Sequence, residues 1–144
     1  MSADVSEEGA SRTNKVLLAD VGNSRTKLAL LSGVSQGMPL LERRYDLDSH
    51  DFNSDDFENW LRAAVPASAT FFIASVYDTA AAQLETAISA VSATHHLLVQ
   101  RQRVHFSDFP LEVKTDQPDR VGIDRLAAAT AASHLVSSQN GCIV

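Results

Sequence analysis

Two short apolar runs joined by a polar stretch constrain the fold of this chain most. The runs are residues 16–19 and 28–31, and residues 20–27 between them read Asp-Val-Gly-Asn-Ser-Arg-Thr-Lys. Short apolar runs around Gly-Asn are typical of two antiparallel strands joined by a tight turn. A turn needs only the Gly and the Asn, so the further carboxylate, hydroxyls and ammonium indicate a phosphate or metal-phosphate site.

The polar residues of this hairpin suggest different roles. Asp20, at a strand end, is suited to Mg²⁺ or its waters, because Mg²⁺ prefers one or two carboxylates together with substrate phosphates. Gly22 lets the backbone approach a phosphate. Asn23 and Ser24 donate hydrogen bonds, and Lys27 supplies positive charge. A solvated hairpin with an Asn turn explains the same spacing, so this motif alone leaves both interpretations open.

Charge and cysteine content exclude several classes of protein. The formal net charge of −6 argues against a nucleic-acid-binding surface, which needs clustered Lys and Arg. The single cysteine, Cys142, cannot form an internal disulfide. Residues 1–14 lack the apolar segment of a secretory signal, and no run reaches the length of a membrane helix. We therefore expect an intracellular protein with no membrane partner and a flexible tail at 1–14.

The predicted elements are a three-stranded meander followed by alternating helices and strands. Strands are predicted at 15–21, 26–31, 40–47, 70–76 and 97–99, short extended pieces at 104–106 and 111–113, and helices at about 55–65, 78–91 and 123–136. Asp78 or Thr79 is expected to cap the second helix. This order predicts an α/β fold with a mixed sheet.

Local patterns add further expectations. Asp55 with Glu58 fits a capping pair at the start of the first helix. Ser and Gly at 32–33 predict a turn that ends the second strand. His95 and His96 are expected on a strand, with side chains on opposite faces. The apolar run 142–144 begins a strand, and the sequence stops within that run. We therefore expect the chain to be cut short there.

A second polar cluster, residues 116–125, precedes the last helix. Asp124 in the first helical turn is favoured by the helix dipole and could accept a proton from a bound hydroxyl. Arg125 beside it could orient a polar or anionic substrate. A helix N-terminus with a surface ion pair would give the same pattern.

Together the two clusters resemble a known family. Residues 20–27 are similar to the first phosphate motif of the acetate and sugar kinase, Hsp70 and actin superfamily, in the form found in type III pantothenate kinases, which usually have Thr at the position of Ser24. Residues 121–125 are similar to that family's Gly-x-Asp-Arg element. The resemblance implies an actin-like ATPase (ribonuclease H-like) domain at 15–121, and the start of a second, incomplete domain at 122–144.

The resemblance also implies an activity, the phosphorylation of pantothenate by ATP to 4′-phosphopantothenate, which is the first step of coenzyme A synthesis. Asp124 would be the catalytic carboxylate, and the substrate-binding residues would be Gly122, Asp124 and Arg125. The ATP phosphates would be bound by Asp20, Gly22, Asn23, Ser24 and Lys27, with Asp20 also at the metal. Family members are cytoplasmic homodimers that use Mg²⁺ or a similar divalent ion and the monovalent cation K⁺ or NH₄⁺.

The chain departs from the family pattern in two respects. Thr115 stands near the point where the family commonly has a Tyr in the pantothenate pocket. A second Asp-x-Gly-Thr phosphate strand and a Gly-rich adenosine motif are absent from the sequence, so we expect the chain to lack catalysis by itself. Two alternatives follow: a non-catalytic interaction or regulatory module derived from this fold, and a different small-molecule kinase of the same superfamily.

Overall fold

A five-stranded mixed sheet forms the centre of the fold. The structure is a computed structural model and describes residues 14–35 and 38–135. The strands are β1 Lys15–Val21, β2 Arg25–Ser35, β3 Met38–Asp48, β4 Ser68–Ser75 and β5 Leu98–Arg103; the helices are α1 Ser54–Ala64, α2 Asp78–His95 and α3 Ile123–Leu135, with 3₁₀ turns at Phe106–Asp108 and Pro118–Arg120. The predicted order of a meander followed by alternating helices and strands is confirmed.

The strand order across the sheet is β3-β2-β1-β4-β5. β2 pairs antiparallel with both β1 and β3, whereas β4 pairs parallel with β1 and β5 pairs parallel with β4. The mixed sheet predicted from the sequence is therefore present. Because β1 and β4 run in the same direction, their carboxyl ends lie side by side at one edge of the sheet.

The main core lies between one sheet face and helices α1 and α2. Leu17, Ala19 and Val21 alternate along β1 and are all buried, as the two-residue period of a strand requires. One apolar face of each of these helices is buried in the same cluster; the buried residues include Phe57, Leu61 and Ala64 of α1 and Leu84, Ile88 and Val91 of α2. Trp60 is only half-buried and stacks on Tyr45, with ring centroids 5.2 Å apart.

The capping predictions for the first two helices were wrong. The side chain of Asn53 caps α1, because its Oδ1 accepts hydrogen bonds from the backbone N–H groups of Asp55 (3.1 Å) and Asp56 (3.2 Å). Helix α2 starts after Tyr77, and no side chain caps its N-terminus in the described part of the chain. Asp78 and Thr79 lie inside the first turn, where their side chains are exposed to solvent.

Other differences concern the ends of elements. Helix α2 extends to His95, which contacts Glu58 of α1, and His96 ends the helix in the left-handed conformation at φ 54°; their placement on a strand was wrong. Gly33 does not end β2 but lies within it at φ 151°, beside shifts in the β2–β3 register that mark a bulge.

The predicted extended pieces also differ in part. Phe106 begins a 3₁₀ turn, and residues 111–113 form no strand. Helix α3 is confirmed as far as Leu135. The expected tail before Asn14 and the expected strand at 142–144, with Cys142, lie outside the described residues.

Candidate phosphate and substrate site

The hairpin between β1 and β2 brings a carboxylate and an ammonium together. Asp20 pairs in register with Lys27, and Asp20 Oδ2 lies 3.9 Å from Lys27 Nζ. About half of each side chain is exposed, at 57% for Asp20 and 51% for Lys27. An ion pair this long and this exposed adds little stability. Both groups therefore remain available to a ligand at the carboxyl end of β1.

Gly22 permits a close approach of the backbone inside this turn. Its N–H donates to the carbonyl oxygen of Arg25 at 2.9 Å. A Cβ at position 22 would lie 3.0 Å from the same oxygen, which is too close for an unstrained contact. Gly22, Asn23 and Ser24 all keep negative φ angles, so the glycine is needed for space and not for a left-handed conformation.

Two hydroxyls lie beneath the turn and were not recognised as site residues from the sequence. Thr26 and Ser49 are buried, with 3% and 4% exposure, and their hydroxyl oxygens are 3.1 Å apart. The Ser49 hydroxyl donates to the carbonyl oxygen of Gly22 at 2.9 Å, and the Ser49 N–H donates to the carbonyl oxygen of Ser24 at 3.0 Å. The signal available in the sequence was the position of Ser49, just after a strand predicted to pair with β2.

The end of β4 supports the turn from the other side. Ser75 pairs with Val21 in the parallel ladder, and the N–H of Val76 donates to the carbonyl oxygen of Val21 at 3.0 Å. The Ser75 hydroxyl accepts a hydrogen bond from the N–H of Tyr77, also at 3.0 Å. The polar turn is thus held at the edge of the sheet by both strands that neighbour β1.

Ionised carboxylates of β3 lie next to the turn. Asp46, which pairs in register with Lys27, accepts two hydrogen bonds from Arg44, and this contact with the nearby charges of Arg44, Arg25 and Lys27 lowers the pKa of Asp46. Hydrogen bonds from the backbone N–H groups of residues 50 and 51 lower the pKa of Asp48. Asp46 and Asp48 therefore take part in local structural contacts beside the turn.

The second predicted cluster forms the start of α3. The carbonyl oxygen of Gly122 accepts hydrogen bonds from the N–H groups of Arg125 (3.0 Å) and Leu126 (3.1 Å). The carboxylate of Asp124 folds back over Gly122 so closely that a Cβ there would collide with Asp124 Oδ1. Asp124 and Arg125 are exposed, whereas Leu126 is buried and anchors the helix.

The structure assembles each cluster separately. Within residues 14–35 and 38–135, no hydrogen bond or ion pair joins the hairpin to the start of α3. Helix α3 packs against β4, the strand next to β1. No group of three or more potential metal ligands occurs among the described residues. A single carboxylate such as that of Asp20 is compatible with Mg²⁺, because this ion commonly takes one carboxylate and completes its coordination shell with phosphate and water.

The sheet order and the polar turn after β1 are those of an actin-like ATPase domain. The chain belongs to the type III pantothenate kinase family, whose sequence profile matches residues 16–144. The family resemblance found in the two sequence motifs is therefore confirmed.

Comparison with solved structures gives more distant similarities. A glucokinase from an Antarctic psychrotroph is 16% identical, with a TM-score of 0.41, and the match covers 63% of this chain and 32% of that one. A PPX-GPPA enzyme of Aquifex aeolicus is 10% identical, with a TM-score of 0.36 and coverage of 62% and 36%. This chain thus matches about a third of the length of each of these proteins.

Two further findings are negative. The comparison with curated proteins finds no match. Among the described residues, no helix has the length and apolar character needed to cross a membrane.

Proposed function

We propose that this chain binds ATP and pantothenate in a kinase that converts pantothenate to 4′-phosphopantothenate, the first step of coenzyme A synthesis. The observation that carries the proposal is the pairing of Asp20 and Lys27, 3.9 Å apart, beside a turn whose carbonyl groups are held from below. The family membership and the Gly-x-Asp-Arg element at 122–125 support the choice of substrate.

In the proposed complex the hairpin binds the phosphates of ATP. Lys27 neutralises phosphate charge, while Asn23 and Ser24, both exposed at the tip of the turn, donate hydrogen bonds. Asp20 would hold Mg²⁺, which would neutralise charge on the phosphate oxygens. Phosphoryl transfer needs mainly such positioning and charge stabilisation, and little covalent chemistry from the protein.

The start of α3 binds pantothenate. Arg125 is exposed and offers a planar guanidinium to the substrate's polar groups, and Gly122 leaves room beside the Asp124 carboxylate. Asp124 accepts the proton of the substrate hydroxyl as that oxygen forms its bond to the γ-phosphorus and ADP departs. Thr115 stands near the point where the family commonly has a Tyr that contributes to the pantothenate pocket.

The remaining family properties complete the proposal. The division at residues 121 and 122 separates the ATP-binding domain from the start of a second domain. The active protein is a cytoplasmic homodimer that also uses K⁺ or NH₄⁺. Family membership supports these statements.

Calorimetry and a coupled kinase assay test the proposal. Because the chain matches only about a third of the length of the compared structures, ligand binding and turnover are measured separately. We expect the folded wild-type chain to bind Mg·ATP and pantothenate. Binding of neither ligand would overturn the proposal and favour the interaction module, and transfer to a different hydroxyl compound would favour another kinase of the superfamily.

Asp124→Asn tests the catalytic assignment. We expect it to preserve ATP binding and, in a longer version of the protein that carries the second phosphate motif, to reduce phosphoryl transfer to pantothenate by about 100-fold or more, as for the loss of a general base. Asp119→Asn, at an exposed neighbouring position in the 3₁₀ turn, is the matched control and should keep the wild-type rate. Full activity of Asp124→Asn would refute the catalytic role.

A further inference from the structure

The hydroxyl pair of Thr26 and Ser49 has an unusual location. In the part of the chain that the structure describes, these are the only two polar side chains that are buried, and both lie under the 22–25 turn. Burial of a hydroxyl is unfavourable unless its hydrogen bonds are satisfied. Ser49 is 27 residues from Gly22 in sequence, so the contact depends on the pairing of β3 with β2.

The direction of the hydrogen bonds in this pair follows from proton counting. A serine hydroxyl has one proton to donate. Ser49 donates that proton to the carbonyl oxygen of Gly22 at 2.9 Å. The 3.1 Å contact between the hydroxyls therefore requires Thr26 to donate to Ser49. Ser49 is the central member of a chain that runs from Thr26 through Ser49 to the Gly22 carbonyl.

Ser49 also takes the place of a usual hairpin hydrogen bond. In a closed two-residue hairpin, residues 22 and 25 would exchange two backbone bonds. Among the described residues only one of these is present, from Gly22 N–H to the Arg25 carbonyl, and the Gly22 carbonyl bonds to Ser49 instead. The backbone N–H of Ser49 binds the Ser24 carbonyl at 3.0 Å. One residue thus holds two carbonyl groups of the turn.

Because the peptide bond is planar, the hydrogen bond that holds the Gly22 carbonyl also fixes the direction of the Asn23 N–H. In a trans peptide the C=O and the following N–H point in opposite directions. Since Ser49 holds the Gly22 carbonyl toward the protein interior, the N–H of Asn23 is directed to the opposite, exposed side of the turn. The side chains of Asp20 and Lys27 are also exposed to solvent, at the end of the strands that this turn joins.

We propose that Ser49 is a positioning residue for ATP binding, which fixes the Gly22–Asn23 peptide so that the Asn23 N–H donates to a phosphate. The inference rests on the proposed function of the hairpin as the ATP phosphate site. Ser49 itself is buried beneath the turn and acts through the backbone of Gly22, without contact with the nucleotide.

Paired variants separate positioning from simple stabilisation. Ser49→Ala frees the Gly22 carbonyl, whereas Thr26→Val removes the other hydroxyl of the same buried pair and leaves the Ser49–Gly22 bond in place. We expect Ser49→Ala to weaken Mg·ATP binding about tenfold, as for the loss of one oriented donor, and Thr26→Val to change it by less than about threefold. Pantothenate affinity should remain at the wild-type value in both variants.

A conservative substitution and an independent readout complete the experiment. Ser49→Thr keeps a hydroxyl and should restore ATP affinity; Ser49→Cys keeps the volume with a weaker donor and serves if the alanine variant does not fold. Amide hydrogen exchange at Gly22, measured without ligand, should be faster in Ser49→Ala than in Thr26→Val. Equal ATP affinities for Ser49→Ala and Thr26→Val, or equal exchange at Gly22, would overturn the positioning role.

The same measurements distinguish this inference from the proposed function. If the wild-type chain does not bind Mg·ATP, the phosphate assignment of the hairpin fails, and the role of Ser49 in ATP binding fails with it. If the wild type binds and Ser49→Ala binds equally well, only the Ser49 inference fails.

Discussion

Arg103 and Glu85 meet through two hydrogen bonds, from Nε to Oε1 at 2.9 Å and from Nη2 to Oε2 at 3.0 Å. Both side chains are about 70% buried, with exposures of 31% and 28%. A third nitrogen, Nη1, reaches Asp78 Oδ1 at 3.1 Å. Because Glu85 and Asp78 belong to α2 and Arg103 belongs to β5, these hydrogen bonds connect the long helix to the edge strand.

The first prediction concerns the pH dependence of stability. The hydrogen bonds and charge of Arg103 lower the pKa of Glu85 in the folded state. This contribution to stability is therefore fully present above the unfolded pKa of about 4.3 and is lost as the pH falls through the folded pKa. Relative to wild type, Glu85→Gln should lower the melting temperature at pH 7 by a few degrees, about 1 kcal/mol, with the difference shrinking below pH 4.

Thermal melts from pH 7 to pH 3 provide the measurement. Glu112→Gln is the control, since Glu112 is 81% exposed and lies 3.6 Å from Lys114. Its melting temperature should follow that of wild type. A Glu85→Gln difference of equal size at pH 3 and pH 7 would contradict the electrostatic origin.

The second prediction distinguishes the observed cap of α1 from the cap expected from the sequence. Asn53→Ala removes the acceptor of the hydrogen bonds from the N–H groups of Asp55 and Asp56 and should cost about 1 kcal/mol. Asp55→Ala leaves the cap intact and should cost only a few tenths of a kcal/mol through the helix dipole. Urea unfolding gives both values, and a larger loss for Asp55→Ala would contradict the assignment.

The third prediction compares Gly22, which lies in the turn, with Gly33, which lies within β2 beside the bulge. Gly22→Ala places a Cβ 3.0 Å from the Arg25 carbonyl oxygen, so the turn must open, and Mg·ATP affinity should fall about tenfold. In Gly33→Ala the new Cβ has open space, but the backbone φ of 151° is unfavourable for alanine. This variant should therefore lose about 1 kcal/mol of stability and keep its ATP affinity unchanged. Calorimetry with thermal melts tests the pair; equal loss of affinity in both would indicate a general stability effect.

The fourth prediction concerns Asp20 and the metal. Asp20→Asn removes a carboxylate that is exposed and only loosely paired with Lys27. If Asp20 holds Mg²⁺, the substitution should weaken ATP binding about tenfold in the presence of Mg²⁺ and leave binding in EDTA unchanged. Titrations of ATP with and without Mg²⁺ measure this difference. An equal loss of ATP affinity under both conditions would indicate that Asp20 stabilises the turn and does not bind the metal.

The strand and helix pattern was predictable because it rests on local periodicity. The alternating burial of Leu17, Ala19 and Val21 follows directly from two-residue alternation, and the stripe containing Phe57 and Leu61 follows from helical spacing. The end of α2 was not predictable in this way. His95 remains helical while it contacts Glu58 on another helix at 2.6 Å, a tertiary contact without a local signal.

The residues of the candidate site also differ in whether the sequence could identify them. The residues of the 20–27 hairpin and the 122–125 segment could be recognised because each motif is contiguous in sequence. Ser49 could not, because its contacts with Gly22 and Ser24 arise from the register of β3 against β2. That register is set by pairing between strands, which neither contiguous motif specifies.

The parallel pairing of β1 with β4 has a consequence for the order in which the site forms during synthesis. The meander can close as soon as β3 has left the ribosome, whereas Val21 waits for Val76, whose N–H completes its hydrogen bonding. Pairing of such distant segments is slow compared with hairpin closure. We therefore expect a nascent chain to carry the turn, with Ser49 already beneath it, before the sheet edge that supports it has been assembled.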